Sequence, residues 1–276
     1  MTLVYYEVKG NYDGSDALDR DVSKQAQASW TAARTGAGYS VANIGDSIHY
    51  PRIWTQGNKS SGGTFYSVKR TFIPFNIPSR FNLTKQDPYN AFVANSTKTL
   101  HVYKAELRTR SSTYTVSTGG LIKYYLGKVK LVKGTGSYTG GTPGASDFDV
   151  ITDLVPYDDE SGVTISGTNL DLQDTELNAT ALNDINKLFG SNQGGQFTIC
   201  MMNYEHDYLN SDPISAYDVS GVLEKQYYHG CNIYAGDHAT LTYGPLLMLY
   251  YNTTKGKSSL TANSGKMVIK SGKVIL

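Results

Sequence analysis

The stretch Leu121-Ile-Lys-Tyr-Tyr-Leu-Gly-Lys-Val-Lys-Leu-Val-Lys133 sets lysines between apolar residues in a loose period of two. Successive side chains of a strand point to opposite faces, so this alternation predicts a strand over residues 120–132 with one wet face and one dry. Similar short runs, separated by clusters of Gly, Pro, Asn and Ser, predict strands over residues 3–8, 39–42, 47–54, 65–75, 99–109, 197–204, 246–251 and 266–276. Many short strands at such spacing predict a mainly β chain, a sandwich or a barrel.

Composition agrees with that reading. The chain of 276 residues has 28 Gly and 22 Tyr, and only 18% of it is charged. Aromatic and β-branched residues fit a pleated, half-buried surface, whereas helical proteins lean on Ala, Leu, Glu and Lys. With 25 basic against 24 acidic residues the formal net charge is +1. Nucleic-acid and membrane surfaces normally demand a basic face, so neither is expected as principal partner. The opening residues have neither a basic segment nor an apolar one, so no secretory signal is expected. Cys200 and Cys231 cannot build a disulfide framework and are read as small buried thiols of a chain folded in a reducing cytoplasm.

One short amphipathic helix is expected at residues 181–189, where Leu182, Ile185 and Phe189 recur at helical spacing, Thr180 can cap the start and Gly190 the end. Residues 76–96, 134–146 and 253–265 have the composition of long surface loops. The expected organisation is an N-terminal arm with a first strand (1–38), a sandwich domain (39–252), and a linker with a C-terminal hairpin around Ser271-Gly272 (253–276). The chain ends on Val274-Ile275-Leu276, an apolar edge suited to pairing with a neighbouring subunit or docking back on its own sheet.

No motif for catalysis emerges. Gly134 and Gly136 are followed by Gly140, Gly141, Pro143 and Gly144, which cannot open the helix that a phosphate loop requires. The five histidines are scattered without metal-ligand spacing. Glu205-His206-Asp207 places three titratable groups side by side, yet neighbours along an extended chain point apart. No cofactor is expected; calcium is the one cation considered, on Asp207, Asn210 and Asp212 or on Asp158, Asp159 and Glu160, although turn chemistry explains both clusters more simply. A polysaccharide-cleaving enzyme would need a pair of carboxylates, and nothing pairs Asp153, Asp158, Glu205 and Asp207. The feature with functional reach is tyrosine: Tyr124-Tyr125 and Tyr227-Tyr228 are adjacent pairs, so one ring of each tends outward. With Trp30 and Trp54 these rings are the candidates for a glycan platform or a protein interface.

Tyr66-Ser-Val-Lys-Arg70-Thr-Phe72-Ile-Pro-Phe75-Asn-Ile77-Pro78, continuing to Ala105-Glu-Leu107, resembles the core of the DNRLRE or disaggregatase-related, carbohydrate-binding-module-like jelly rolls. Gly195-Gln-Phe197, His206 to Pro213 and Gly244-Pro-Leu246 resemble that family's closing half, so the likeness spans about residues 39–252. The family is usually exported, and this chain carries long insertions at 76–96 and 147–176. Similar jelly rolls without a leader look like bacteriophage virion components. The resemblance thus implies a jelly-roll β-sandwich of antiparallel strands and a virion structural protein (capsid decoration, head fibre, tail or adhesin), synthesised in the host cytoplasm. Its expected partners are itself, as a homo-oligomer, and other virion subunits. The alternative is a carbohydrate-binding module on cell-surface glycans.

Overall fold

The computed structural model describes residues 4–9, 20–27, 29–38, 40–42, 51–60, 63–77, 99–117, 120–134, 148, 154–190, 195–217, 225–234, 243–254, 268–270 and 273–275. The chain is mainly β, as the alternation predicts. One antiparallel set consists of β1 (Val4–Lys9), β13 (Leu246–Thr254), β6 (Thr99–Ser112) and β10 (Leu172–Glu176), hydrogen-bonded in that order. The second is built on the long β5 (Gly63–Ile77), which carries β2 (Arg20–Gln27) and, beyond it, β3 (Ser40–Ala42). Successive parts of β5 also pair with β4 (Arg52–Ser60) and β11 (Gly195–Asn203). Beyond β4 lie β12 (Lys225–Ile233) and then β7 (Ile122–Leu126); beyond β11 lie β8 (Lys128–Lys133) and β9 (Val163–Thr164). The two sets join where Ser111 and Ser112 of β6 pair with β12.

Why the sets pack face to face is legible in β5 and its neighbours. Ile73, Phe75 and Ile77 enter a cluster with Val102, Ala105 and Leu107 of β6 and Leu247 and Leu249 of β13, so one apolar core is filled from both sets. The alternate residues Tyr66, Val68 and Phe72 enter a second cluster with Val132, Phe148, Cys200 and Met202. Trp30 and Ala33 of α1 (Trp30–Arg34) and Ile214 of α3 (Pro213–Tyr217) close that cluster. The strand is thus dry on both faces and reads as a nearly unbroken apolar run.

Helix α2 (Ala179–Gly190) starts two residues before the expected position. Its cap is Asn178, whose Oδ1 accepts from the Thr180 and Ala181 amides, both at 3.1 Å; Thr180 is exposed. Ala181 and Ile185 enter the main core. Asn186 accepts from the Val102 amide and donates to the Val102 carbonyl, each at 2.8 Å, so the helix covers the edge of β6 beyond the reach of β10.

Among the N-terminal residues β1 pairs with β13 and β2 with β5. Two expectations are corrected. The strand predicted over residues 120–132 divides at Gly127: β7 pairs with β12, the one parallel ladder among the described strands, and β8 pairs with β11. Gly127 makes that transfer where a Cβ would lie 2.6 Å from Asn203 and 3.0 Å from the Gly230 amide. Lys130, expected on the wet face, is buried, with its Nζ donating to the Asp158 carboxylate at 2.6 Å. Toward the C-terminus, β14 (Val268–Lys270) and β15 (Lys273–Ile275) pair antiparallel, and Ser271-Gly272 lie outside the described residues.

Candidate functional site

Alternation along β4 and β12 builds an open cleft. In β4, Ile53 is fully buried in the main core while Arg52, Trp54 and Gln56 line the opposite face. In β12, Tyr227, His229, Cys231 and Ile233 are buried while Tyr228 and Asn232 line the cleft. Between them Gly230 stands opposite Trp54, and a Cβ there would lie 2.1 Å from the Ile53 carbonyl oxygen and 2.4 Å from the Trp54 Cβ. Tyr124 of β7, Ser67 and Lys69 of β5 and the segment 113–117 complete a space of about 700 Å³.

Four aromatic rings run along it as one row. Tyr124 and Tyr228 stack with centroids 4.8 Å apart and planes 13° from parallel. Trp54 meets Tyr228 near-perpendicularly at 5.3 Å, and Tyr114 meets Tyr124 in the same way at 6.5 Å. The pair of tyrosines therefore covers one face of each ring by its own stacking. Gln56 donates to the Tyr228 hydroxyl at 3.0 Å, and Lys69 places its ammonium 5.4 Å from the centre of the Trp54 ring. Burial pushes the Tyr228 hydroxyl up from its ordinary pKa, and the positive charge of Arg52 opposes that shift.

The wall at 113–117 is anchored on several sides. Ser117 and Tyr124 exchange backbone hydrogen bonds at 3.1 and 2.7 Å, the Tyr114 amide donates to the Gly167 carbonyl at 3.1 Å, and Asn232 donates to the Thr113 carbonyl at 3.0 Å. Among the described residues, those lining the cleft include two cations and no Asp, Glu, His or Cys.

Of the rings singled out in the sequence, Trp54, Tyr124 and Tyr228 come together here. Trp30 does not: it packs on Tyr66 in the second cluster, away from this cleft, and Trp54 itself is only 8% exposed. Tyr227 is 2% exposed, with its side chain on the core side of β12. Tyr125 is half-buried and lies edge-on to His229. Arg52, Gln56, Lys69 and Tyr114 were not singled out. The i, i+2 recurrence of Arg52, Trp54 and Gln56 is the signal that marks the first two. Val274 and Ile275 lie in the C-terminal hairpin; Leu276 lies outside the described residues.

The acidic candidates are engaged elsewhere. Glu205, His206 and Asp207 fall in a π-helical turn, Tyr204–Tyr208, in which Asp207 turns to Arg70 and Arg34 while Glu205 and His206 both come against His229. Both Asp207 carboxylate oxygens accept from Arg70 at 2.7 Å, Arg34 lies 3.5 Å from one of them, and Arg34 also donates to the Asp207 carbonyl at 2.9 and 2.5 Å. That commitment removes Asp207 as a calcium ligand. Asn210 is exposed, with φ at 57°, and Asp212 accepts from the Tyr66 hydroxyl at 2.8 Å and from the Ile214 amide at 2.8 Å. In the other acidic cluster, Asp158 is held by Lys130 and the Leu131 amide, at 2.6 and 2.7 Å. His206 packs on His229 with ring centres 4.8 Å apart, and Glu205 approaches His229 at 3.9 Å. Burial pushes His229 down to about 4, and the neighbouring His206 adds to the shift. Cys200 and Cys231 are free, fully buried thiols. Among the described residues no group of three or more His, Cys, Asp or Glu could hold a metal ion, and no helix is long and apolar enough to cross a membrane.

No family model matches the chain, and no curated protein matches it.

Proposed function

We propose that this chain is a non-enzymatic surface protein of a bacteriophage virion, a jelly-roll subunit of adhesin type that attaches to cell-surface glycans through the Trp54, Tyr124 and Tyr228 cleft. The observation that carries the binding role is the make-up of the cleft. Its aromatic row is bordered by hydroxyls, amides and the cations Arg52 and Lys69, and the described residues that line it include no carboxylate, imidazole or thiol. The virion setting is supported by the resemblance at Arg70 to Ile77 and by the wide use of such sandwiches in capsids and fibres, an analogy of fold.

A glycan array probed with the full chain tests the binding role. Binding that Tyr228→Leu weakens at least tenfold supports it, and an array without signal overturns it. Mass spectrometry of purified particles tests the setting, and absence of the chain from them overturns the virion assignment while leaving the cleft untouched. Assembly through the C-terminal hairpin is tested by deleting residues 266–276; an unaltered oligomer refutes that role.

A further inference from the structure

The glycan reading leaves open which part of a sugar the cleft reads, and one rung of the sheet bears on that. Ser67 of β5, Gln56 of β4, Tyr228 of β12 and Tyr124 of β7 stand opposite one another from strand to strand, and all four line the cleft. Opposed residues share a face and neighbouring strands lie about 4.8 Å apart, so the rung sets four side chains with polar ends side by side. At one end of it the two tyrosine rings stack. At the other end Ser67 is only 7% exposed, yet its hydroxyl has no hydrogen-bond partner among the described residues. Between them Gln56 spends one amide N–H on the Tyr228 hydroxyl, at 3.0 Å, and that hydroxyl donates to Gln226 Oε1 at 3.4 Å. The second N–H and the carbonyl oxygen of Gln56 have no partner among the described residues. A polar group so far from bulk water is normally bonded within the fold, because leaving it unmade costs free energy. The partner that Ser67 lacks is therefore to be supplied from the cleft it lines.

Resting on the glycan reading, we infer that Ser67 and Gln56 decide which sugars bind, by hydrogen-bonding two free hydroxyls on one edge of a sugar ring seated beside Tyr228 and Tyr124. Ser67 can donate and accept, and Gln56 retains one donor and one acceptor, so the pair matches hydroxyls, which do both. A methyl ether or an acyl ester at either position removes the sugar's donor and adds bulk where the rung is closest. Sugars capped there are rejected, since a site built to bond a hydroxyl is left with unpaired groups when it is missing. The tether from Gln56 through Tyr228 to Gln226 also fixes the amide before a sugar arrives, so little side-chain entropy remains to be lost on binding.

A glycan array probed with the full chain tests this when its oligosaccharides (α-glucan, β-glucan, mannan, galactan and a uronan) are printed both free and per-O-methylated, with apparent affinities read from the concentration dependence of each spot. The expected result is that at least one free glycan binds and that its O-methylated form binds at least about tenfold more weakly. Ser67→Ala should weaken binding by about threefold or more, and Ser67→Val, which sets a methyl group in place of the hydroxyl, by at least about tenfold. The Tm of Ser67→Ala should be unchanged, because no described residue uses the hydroxyl; a fall of several degrees would assign that group to the fold and overturn its role in binding. Gln56→Met should weaken binding more than Tyr228→Phe, which removes only the hydroxyl that Gln56 holds. Equal losses would make Gln56 a positioning residue for Tyr228 and overturn its contact with the sugar. Thermal unfolding checks that each variant is folded. If O-methylated glycans bind as tightly as free ones and both Ser67 variants bind like the wild type, the hydroxyl reading is wrong and the glycan reading stands. If no spot binds, both fall.

Discussion

Removing the charge of Asp207 is expected to be among the costliest single changes in this protein. The carboxylate and the Arg70 side chain are both 0% exposed, and they meet through two parallel contacts of 2.7 Å. Arg34, also buried, leans on the same group, and Arg70 is further held by the carbonyls of Phe148 and Arg34. Asp207→Asn keeps the shape but removes the carboxylate charge on which two buried guanidinium groups converge. Losing a charge-assisted hydrogen bond costs about 1.5–3 kcal/mol, and two of them amount to roughly 3–6 kcal/mol. Breaking a buried ion pair independently costs about 3–5 kcal/mol. The expected loss is therefore about 4 kcal/mol, a large share of the roughly 5–15 kcal/mol that separates typical folded and unfolded states. Urea unfolding followed by tryptophan fluorescence reads it, since Trp30 sits in the apolar cluster beside this network. Arg70→Met should cost a similar amount, and the pair Arg70→Met, Asp207→Leu should cost about 2 kcal/mol less than the sum of the single changes, because neither partner is then left alone. The cost of Asp207→Asn should also persist in about 1 M NaCl, since buried pairs are weakly screened. A loss below about 1 kcal/mol, or strictly additive single changes, would refute the account.

Three further outcomes are expected. The ordinary His pKa of 6.5 falls to about 4 at His229, so the fold holds the neutral ring. The resulting stability is complete above about pH 6.5 and is lost as pH falls toward 4, by up to about 3 kcal/mol, and denaturation at pH 7 and 4.5 should show that loss shrinking in His229→Phe. Gly230→Ala forces a Cβ against the Ile53 carbonyl and the Trp54 backbone, which cannot yield without parting β12 from β4; a loss of roughly 3 kcal/mol with a shifted Trp54 emission is expected, and unchanged urea unfolding would contradict it. Asn178→Ala removes the cap of α2 and should lower stability by about 1 kcal/mol, read as a fall of about 2–4 °C in Tm; an unchanged Tm would show the helix to be held by Ile185 and Asn186 instead.

Strands whose apolar residues alternate or run together were legible in the sequence, and those built otherwise were not. Ile73, Phe75 and Ile77 announce β5 because both its faces are dry. Arg20-Asp-Val-Ser-Lys-Gln-Ala-Gln27 forms β2 although it is largely polar, because pairing with β5 supplies what its own pattern lacks. Leu172–Glu176 was hidden in a stretch whose composition reads as a loop. At the site, adjacent ring pairs correctly implied one ring inward and one outward, yet the choice between Tyr227 and Tyr228 depends on the register of β12 against β4, which no local signal carries. Nor could the partnership of Arg70 with Asp207 be read, since 137 residues separate them and neither sits in a motif.

The same construction accounts for both the buried ion network and the open cleft. A sheet covered on both faces must pair every charge it carries, and the networks of Arg70 with Asp207 and of Lys130 with Asp158 do so among buried residues. One face of β4 and β12 escapes that requirement. There Arg52, Gln56, Lys69 and Asn232 can keep polar groups at the surface, and Tyr124 and Tyr228 stand half-buried along the cleft. Because the adjoining wall at 113–117 is tied to Gly167, Tyr124 and Asn232, the cleft exists before any ligand arrives. A ligand entering it need not order a loop first, so the affinity gained from each contact is not offset by that entropy. Contact energies in this cleft should therefore show themselves directly in binding.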